Sequence, residues 1–545
     1  MARRGSDAEA SMTQGQSHSG IPLKPVYTPA DTAGLDYAVR LGDPGTYPYT
    51  RGRRPASAGG GGWIQHELSG EGAARRSNEQ FRYLIAHGAT GVDVIGDTPT
   101  MAWLDPDHPT ARHAIGTQGV SVCHLGDYRD LYEGLPLDRI TLSHSLPAPF
   151  AIAGLYLVAR ERGVDPAGLR GSTIQVPFYC EDCSYATHMP FALRLRLAAD
   201  SIEFAAREMP RFHAFLEDTY YISDGGLDAV EEMALGFVEI RYLVRELLRR
   251  GVAIDRFAPR IAILVNCRMD VFEEIAKIRA TRRIFARMMR DEFGARDPRS
   301  LAVNVTSHTS GLTLTAQQPV NNIVRGAVQA LALALAGVQA IEISAFDEAF
   351  RTPSPEAHLV ALRTQQTIQV ETGVTKVADP LGGAYYVEAL TDEMERRIVE
   401  LAARIEAKGD PGALCDGGWF RTLFQNAMER HARELREGRL GQVGVNVHRM
   451  AEADDTLLRE VAERKFEPCR ERVDELRELR RARDAERVRA TLGELRRVAA
   501  AKTGSLMTPL VAAFAAGATM GEITGVMRIG YGVPYDPLGH TEAPV

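Results

Sequence analysis

Cys180 and Cys183 form a C-x-x-C within the stretch STIQVPFYCEDCSYATHMPF (172–191), and His188 follows five residues after the second thiol. Two thiolates and an imidazole are a ligand set for zinc, and a C-x-x-C is equally a dithiol–disulfide couple. Zinc generally takes four ligands, and neither a second C-x-x-C nor a paired histidine is present. His188 offers a third ligand, and His308 becomes a fourth only if a neighbouring strand end brings it near. A redox pair belongs at a helix start after a strand, which is roughly the position here, yet nothing else in the chain looks thioredoxin-like. From these residues alone, metal binding, redox chemistry and something else all stay open.

A second set of chemical side chains lies on apparent strands. In SLAVNVTSH (300–308), period-two alternation puts Leu301, Val303 and Val305 on one face and Ala302, Asn304, Thr306 and His308 on the other. RITLSHS (139–145) groups Thr141, Ser143 and Ser145, and TIQVPF (173–178) groups Thr173 with Gln175. If the apolar faces meet outer helices, the interior between the strands is small and polar, and buried polar groups need partners. Those partners are one another and water near the strand ends, or a long polar ligand running inside.

The elements that must position these residues alternate along the chain. Eight β-rich runs, at 91–96, 119–125, 139–145, 173–178, 212–221, 261–267, 300–307 and 339–346, are separated in many cases by helical patterns such as 149–163, 191–209, 227–251, 270–293 and 318–337. Such alternation predicts parallel strands with helical crossovers, an α/β fold built as a (β/α)8 TIM barrel. Residues 1–23 read as a disordered polar tail, 24–62 as an extended N-terminal arm, 63–410 as the barrel and 411–545 as a C-terminal helical region. The charged segment 470–502 carries the stripes Val473, Leu476, Leu479 and Val488, Leu492, Leu495, so it reads as amphipathic helices packed on the barrel or on a partner.

Composition narrows the partners. With 64 Lys and Arg against 71 Asp and Glu, the net charge of -7 gives no bulk attraction to nucleic acid or to an anionic membrane. No run approaches the roughly 20 apolar residues that span a bilayer. Six scattered cysteines in 545 residues, without an apolar signal core, fit a reducing cytoplasm.

Longer blocks carry a resemblance. KPVYTPADTAGLDYAVRLGDPGTYPYTRG (24–52), LDPDHP (104–109), GSTIQ (171–175), SHTSGLTLTAQQPVNNIVR (307–325), DEAF (347–350), QQTIQVETGVTKVADPLGGAYYVEALT (365–391) and MTPLVAAFAAGATMGEITGVMR (507–528) resemble the large, substrate-binding subunit of adenosylcobalamin-dependent acyl-CoA mutases. Methylmalonyl-CoA mutase is the best known member of that family. The organisation is nearest to the two-subunit isobutyryl- and 2-hydroxyisobutyryl-CoA mutases. The resemblance runs from about residue 24 to about 535. It implies radical isomerisation of an acyl thioester threaded along the barrel axis, with the cofactor carrying the chemistry and the protein positioning and shielding. The D-x-H-x-x-G signature of a cobalamin domain is not found here, so the resemblance implies a separate small cobalamin-binding subunit and a hetero-oligomer.

Position by position, the resemblance implies CoA contacts at Arg260 and Arg299, thioester contacts at Thr173 and Gln175, and cofactor contacts at Met101, Asp224, Gly311, Ser344 and Glu348. Tyr221 stands for a histidine that bonds the thioester carbonyl, His308 replaces a glutamine beside the substrate, and Thr306 replaces a nearby histidine. With Glu348, Tyr221 and His308 make the implied catalytic set. Asn304 stands where a CoA-contacting arginine is usual. Tyr185, or Ser184, takes the place of the arginine that grips a substrate carboxylate, and Ala58, beside Gly59–Gly62, replaces an active-site tyrosine. Loss of that cation disfavours a methylmalonyl-type substrate, because a buried unpaired carboxylate costs several kcal/mol. The same replacement makes CEDC part of a remodelled acyl pocket. The alternative class is a mutase-like acyl-thioester-binding or regulatory protein without catalysis.

Overall fold

The computed structural model describes residues 15–55, 57, 61–175, 177–178, 189–456, 458 and 467–543. Two short extended pieces, Ile64–Gln65 and Leu68–Ser69, interrupted at residues 66 and 67, are together β1, and they are followed by β2 (Gly91–Ile95), β3 (Thr141–Ser145), β4 (Gly171–Gln175), β5 (His213–Asp218), β6 (Ile261–Cys267), β7 (Asn304–Thr309) and β8 (Ala340–Glu342). Every ladder is parallel, and sequential strands are neighbours from β2 to β8. The two ends of β1 close the ring: Ile64–Gln65 pairs with β8 and Leu68–Ser69 with β2. The eight strands therefore form a closed (β/α)8 barrel, with crossover helices such as Phe191–Glu208, Ala229–Arg249 and Val271–Arg287 outside it.

The sequence predicts eight strands but misplaces one. Of 119–125, only Val120–Ser121 is extended, and it pairs with Gly72–Ala73 beside the barrel. Its expected place is taken by WIQHELSG, whose Gln65 and Glu67 face outward to Gln369 and Gln365 on the helix Pro355–Glu371. The 300–307 run also starts late, because Pro298–Leu301 is a helical turn capped by Asp297.

Outward-facing Val92, Val94 and Leu142 pack into one core with Phe81 and Phe150, and Leu476, Val488, Leu492 and Leu495 of the C-terminal helices complete it. Ile263, Val265, Val305 and Ile341 enter a second core behind β5–β8. Residues 15–23 join this core instead of forming a loose tail. Ile21 is 2% exposed, and Ser19 Oγ donates to Glu273.

On the side of β1–β3 and β7 the enclosed side chains are small or polar, as the alternation predicts for β3 and β7, whereas Ile174, Leu216, Ala262 and Leu264 form an apolar cluster on the side of β4–β6. Ser143 and Ser172 hydroxyls meet at 2.6 Å, and His66 bridges Thr141 Oγ1 and Glu342 Oε1. The phase of β4 is opposite to the prediction. Ser172 and Ile174 point inward, while Gln175 donates to Ser201 on the helix Phe191–Glu208, and Thr173 lies beside outward-facing His144. A register shift between Ser172 and Ile174 accompanies this phase. The membrane reading agrees to this extent: no helix among the described residues is long and apolar enough to cross a bilayer.

Gly91 faces the interior at the level of His66. A Cβ there would be driven into Thr141 Oγ1 and His66 Nε2. Gly91→Ala is expected to destabilise the chain by about 1–3 kcal/mol through overpacking, with part of the loss restored by adding Thr141→Ala. Denaturant midpoints of the single and double variants check this, and an unchanged midpoint for Gly91→Ala refutes the packing.

Candidate functional site

The C-terminal ends of the strands open into a cavity of ≈ 790 Å³ whose wall includes Met101, Tyr220, Tyr221, Asp224, Glu348 and Arg351. Active sites of (β/α)8 barrels sit at this face. A short helix, Thr219–Asp224, begins directly at the end of β5, where Asp218 accepts the Tyr221 N–H. That turn sets both tyrosines and Asp224 on the rim. Asp224 Oδ1 accepts from Asn266 Nδ2 and Ser310 Oγ, each at 2.8 Å, and the Gly311 N–H donates to Tyr220 Oη at 3.2 Å. The Tyr220 ring stands edge-on to His308, centroids 4.8 Å apart.

Below the cavity lies a buried group of acids and imidazoles. Asp93 and Glu342 share a hydrogen bond, His66 Nδ1 lies 3.2 Å from Glu342 Oε1, and His308 Nε2 lies 3.9 Å from Glu342 Oε2. Burial pushes the Glu342 carboxyl up to about 8, and it raises Asp218 and Glu348 to about 7. The same desolvation lowers His66 and His308 to about 4, so both rings are neutral. Asp218 Oδ2 and His308 Nε2 are buried without hydrogen-bond partners. The wall's one arginine among the described lining residues, Arg351, is 3.6 Å from Asp347.

The opposite face has the opposite sign. Arg260 precedes β6, Arg299 precedes β7, and Arg53 comes from the N-terminal arm. Repulsion between Arg53 and Arg260, and between Arg260 and both Arg299 and Arg211, adds to burial in lowering the Arg53 and Arg260 guanidinium pKa values. Arg299 is bound by Asp297 and Arg260 by Pro210 O, but Arg53 has no hydrogen bond or ion pair among the described residues. His213 Nε2 accepts from Asn304 Nδ2 at this end, with Nδ1 donating to Arg260 O.

The structure thus brings together Tyr221, His308, Glu348, Met101, Asp224, Gly311 and Ser344 at or just beneath one cavity, and sets Arg260 and Arg299 together at the other face. Thr173 and Gln175 do not join them in the interior, for the reason of phase given above. Tyr185, Ser184 and Ala58, with Cys180, Cys183 and His188, lie outside the described residues. Sequence reasoning missed Tyr220, Asp218, Arg53 and the His66–Asp93–Glu342 group. A period-two reading of GVDVIG would have flagged Asp93, whereas His66 and Glu342 were hidden by the misplaced first strand and by a short last one.

Among the described residues, Cys123, His124 and Asp127 have atoms close enough to share a metal ion. Their atoms already serve a helix start: Asp127 Oδ2 accepts the N–H groups of Cys123 and His124, His124 Nδ1 accepts from Gly126, and Asp127 Oδ1 is ion-paired to Arg472 at 2.6 Å. A cation would compete with that guanidinium.

Comparison with known proteins agrees with this geometry. The model of the methylmalonyl-CoA mutase family matches residues 16–533. A 2-hydroxyisobutanoyl-CoA mutase large subunit from Aquincola tertiaricarbonis is 34% identical over 511 residues, covering 93% of this chain and 90% of that protein. A methylmalonyl-CoA mutase from Rhizobium meliloti is 34% identical over 516 residues, covering 94% of this chain and 72% of that protein.

The raised carboxyls make stability pH-dependent. The folded chain keeps protons on Glu342, Asp218 and Glu348 that the unfolded chain has already lost above the ordinary carboxylate range, so stability falls as pH rises through about 7 to 8. The buried histidines are neutral in both states above their ordinary value near 6.5 and do not oppose this. The Tm of the ligand-free chain is expected to fall between about pH 7 and 8.5, and Glu342→Gln is expected to flatten the fall. Thermal unfolding against pH checks it, and an undiminished slope in the variant refutes it.

Proposed function

Because the chain belongs to the methylmalonyl-CoA mutase family, we propose that it is the large subunit of an adenosylcobalamin-dependent mutase. On this reading it isomerises the carbon skeleton of an acyl-CoA that carries no second carboxylate, together with a separate cobalamin-binding subunit. The observation that carries the reading is the two-ended build of the barrel: a cluster of arginines at one face and, at the other, a large cavity whose wall carries Tyr221, Asp224 and Glu348. An acyl-CoA has the matching polarity, with anionic phosphates at one end and an uncharged acyl thioester at the other.

Arg53, Arg260 and Arg299 would bind the phosphates, since guanidinium groups pair with phosphate oxygens in a bidentate fashion. Arg53 is the strongest support among them, because a half-buried guanidinium with no partner among the described residues is costly until an anion arrives. At the acyl end a second carboxylate meets no uncommitted cation among the described lining residues, since the one arginine there, Arg351, already faces Asp347. The Aquincola tertiaricarbonis relative is named for an acyl-CoA of this non-dicarboxylic kind, and the words "large subunit" in its name support the partner.

The mouth also fits the cofactor. Glu348, on the cavity wall and raised to about 7, can donate or accept at neutral pH, so a ribose hydroxyl finds either kind of partner there. Met101, Asp224, Gly311, Ser344 and Glu348 would hold adenosylcobalamin, which supplies an organic radical when bound. The chain's own work is to hold the acyl group still beneath the cavity and to exclude water. Tyr220 and Tyr221 contribute by walling the site with rigid rings.

Anaerobic incubation with a cobalamin-binding small subunit, adenosylcobalamin and a panel of acyl-CoAs tests the reading. One acyl-CoA without a second carboxylate is expected to give a radical EPR signal and its skeletal isomer. Silence across the panel, with partner and cofactor binding confirmed, overturns it. Arg53→Met is expected to weaken CoA binding by about ten- to a hundredfold, the worth of a charge-assisted bond. Titration calorimetry measures it, and unchanged affinity removes Arg53 from the phosphate site.

A further inference from the structure

We propose that a second cavity, walled by Trp103, Thr524 and Tyr535, is a binding site for an uncharged planar heterocycle of the nucleoside kind. The site is independent of the acyl-CoA reading, because the described residues lining this cavity and the large one have no member in common.

The cavity measures ≈ 370 Å³ and lies between the segment that follows the short helix Thr98–Met101 and the helix Met520–Gly530. Small-molecule sites are about 300–1,000 Å³ in size. Two glycines four residues apart open that face of the helix. A Cβ on Gly521 would strike the Asp105 carboxylate, and one on Gly525 would strike the Tyr535 ring. Tyr535 is fixed there by its neighbours in the chain. Arg528 Nε donates to Pro534 O, and Asp536 accepts from His108 Nε2 and from the N–H groups of Leu538, His540 and Thr541. Residues 535–542 contribute to the wall and lie beyond the 16–533 span of the family match, so family membership does not account for them.

Three polar groups of the wall lack a protein partner among the described residues. Thr524 is 5% exposed, and its Oγ1 is buried without a hydrogen bond. Tyr535 Oη and Trp103 Nε1 likewise make none among the described residues. A buried hydroxyl in this state costs free energy until a partner is supplied. Trp103 is itself held at φ 60°, a conformation that a bulky residue adopts only where its surroundings impose it.

Charge on the wall is already cancelled. Arg480 binds Asp105 and Asp107, and Arg483 grips Glu522 through both Nη atoms at 2.6 Å. A phosphate would meet guanidiniums that are taken and carboxylates that repel it, and an amine would meet the reverse. A neutral ligand avoids both penalties. Indole and phenol rings stack on the face of any nucleobase, and the hydroxyls of Thr524 and Tyr535 donate to or accept from ring nitrogens, carbonyls or a ribose.

Calorimetric titration of the full chain with adenosine, cytidine, AMP and glucose tests this. Adenosine is expected to bind, cytidine to bind more weakly because its smaller ring stacks less, and AMP to bind no tighter than adenosine. Thr524→Val and Tyr535→Phe each keep the shape and remove one hydroxyl, and each is expected to weaken adenosine by roughly three- to tenfold. Trp103→Leu is expected to weaken it by at least about tenfold. Glu348→Gln, which alters the large cavity, is expected to leave the affinity unchanged. No binding of either nucleoside overturns the proposal. So does a stronger response to AMP, which assigns the cavity to a phosphate, or to glucose, which assigns it to a carbohydrate. Adenosine binding that survives both hydroxyl removals undiminished overturns it too, and a loss in Glu348→Gln then locates the nucleoside in the large cavity.

Discussion

A closed ring of strands that turns its polar faces inward must neutralise or partner every group it encloses. That constraint governs this molecule. Water is largely excluded from the level of His66, Asp93, Ser143 and Glu342, each no more than 5% exposed, and an ionised carboxylate in such a place is paired or takes up a proton. The chain does the latter, sharing a proton between Asp93 and Glu342 and keeping the nearby imidazoles neutral. Gly91 belongs to the same solution, because only a residue without a side chain lets His66 and Thr141 come together beside it.

The parallel direction of the strands then separates two chemistries. All N-terminal strand ends lie at one face and all C-terminal ends at the other, so residues just before strands, such as Arg260 and Arg299, cluster away from residues just after them, such as Tyr221 and Asp224. Cations and acids kept at opposite poles do not quench one another. A ligand charged at one end is oriented before any specific contact forms.

What the sequence shows follows from how local the signal is. The inward faces of β3 and β7 were legible because a strand that keeps strict alternation repeats its face every second residue, as Thr141–Ser143–Ser145 and Asn304–Thr306–His308 do. The phase of β4 was not, since Ser172 with Ile174 and Thr173 with Gln175 alternate equally well, and no residue type announces which pair faces in. Strand β1 escaped because Gln65, His66 and Glu67 make it look like a loop. Its outward polar residues are satisfied by glutamines some three hundred positions away, a pairing only the closed ring creates. Tyr220 was passed over for Tyr221 because adjacent tyrosines differ only in which way a helical turn points them.

The cavity's geometry is fixed from behind by a polar assembly that local sequence does not reveal. Lys277, wholly buried on the helix Val271–Arg287, binds Glu232 at 2.8 Å, ion-pairs with Glu274 and donates to Asn266 O. Glu232 in turn accepts the Asn266 N–H and the Thr219 hydroxyl, and the Asn266 amide holds Asp224 and Ser310 at the rim. A triad like this adds little net stability over an apolar replacement, because desolvating its charges offsets their attraction. Its effect is positional. It passes the placement of two helices through β6 to one carboxylate on the cavity wall, and a site that must hold its ligand still depends on supporting groups whose own positions are locked.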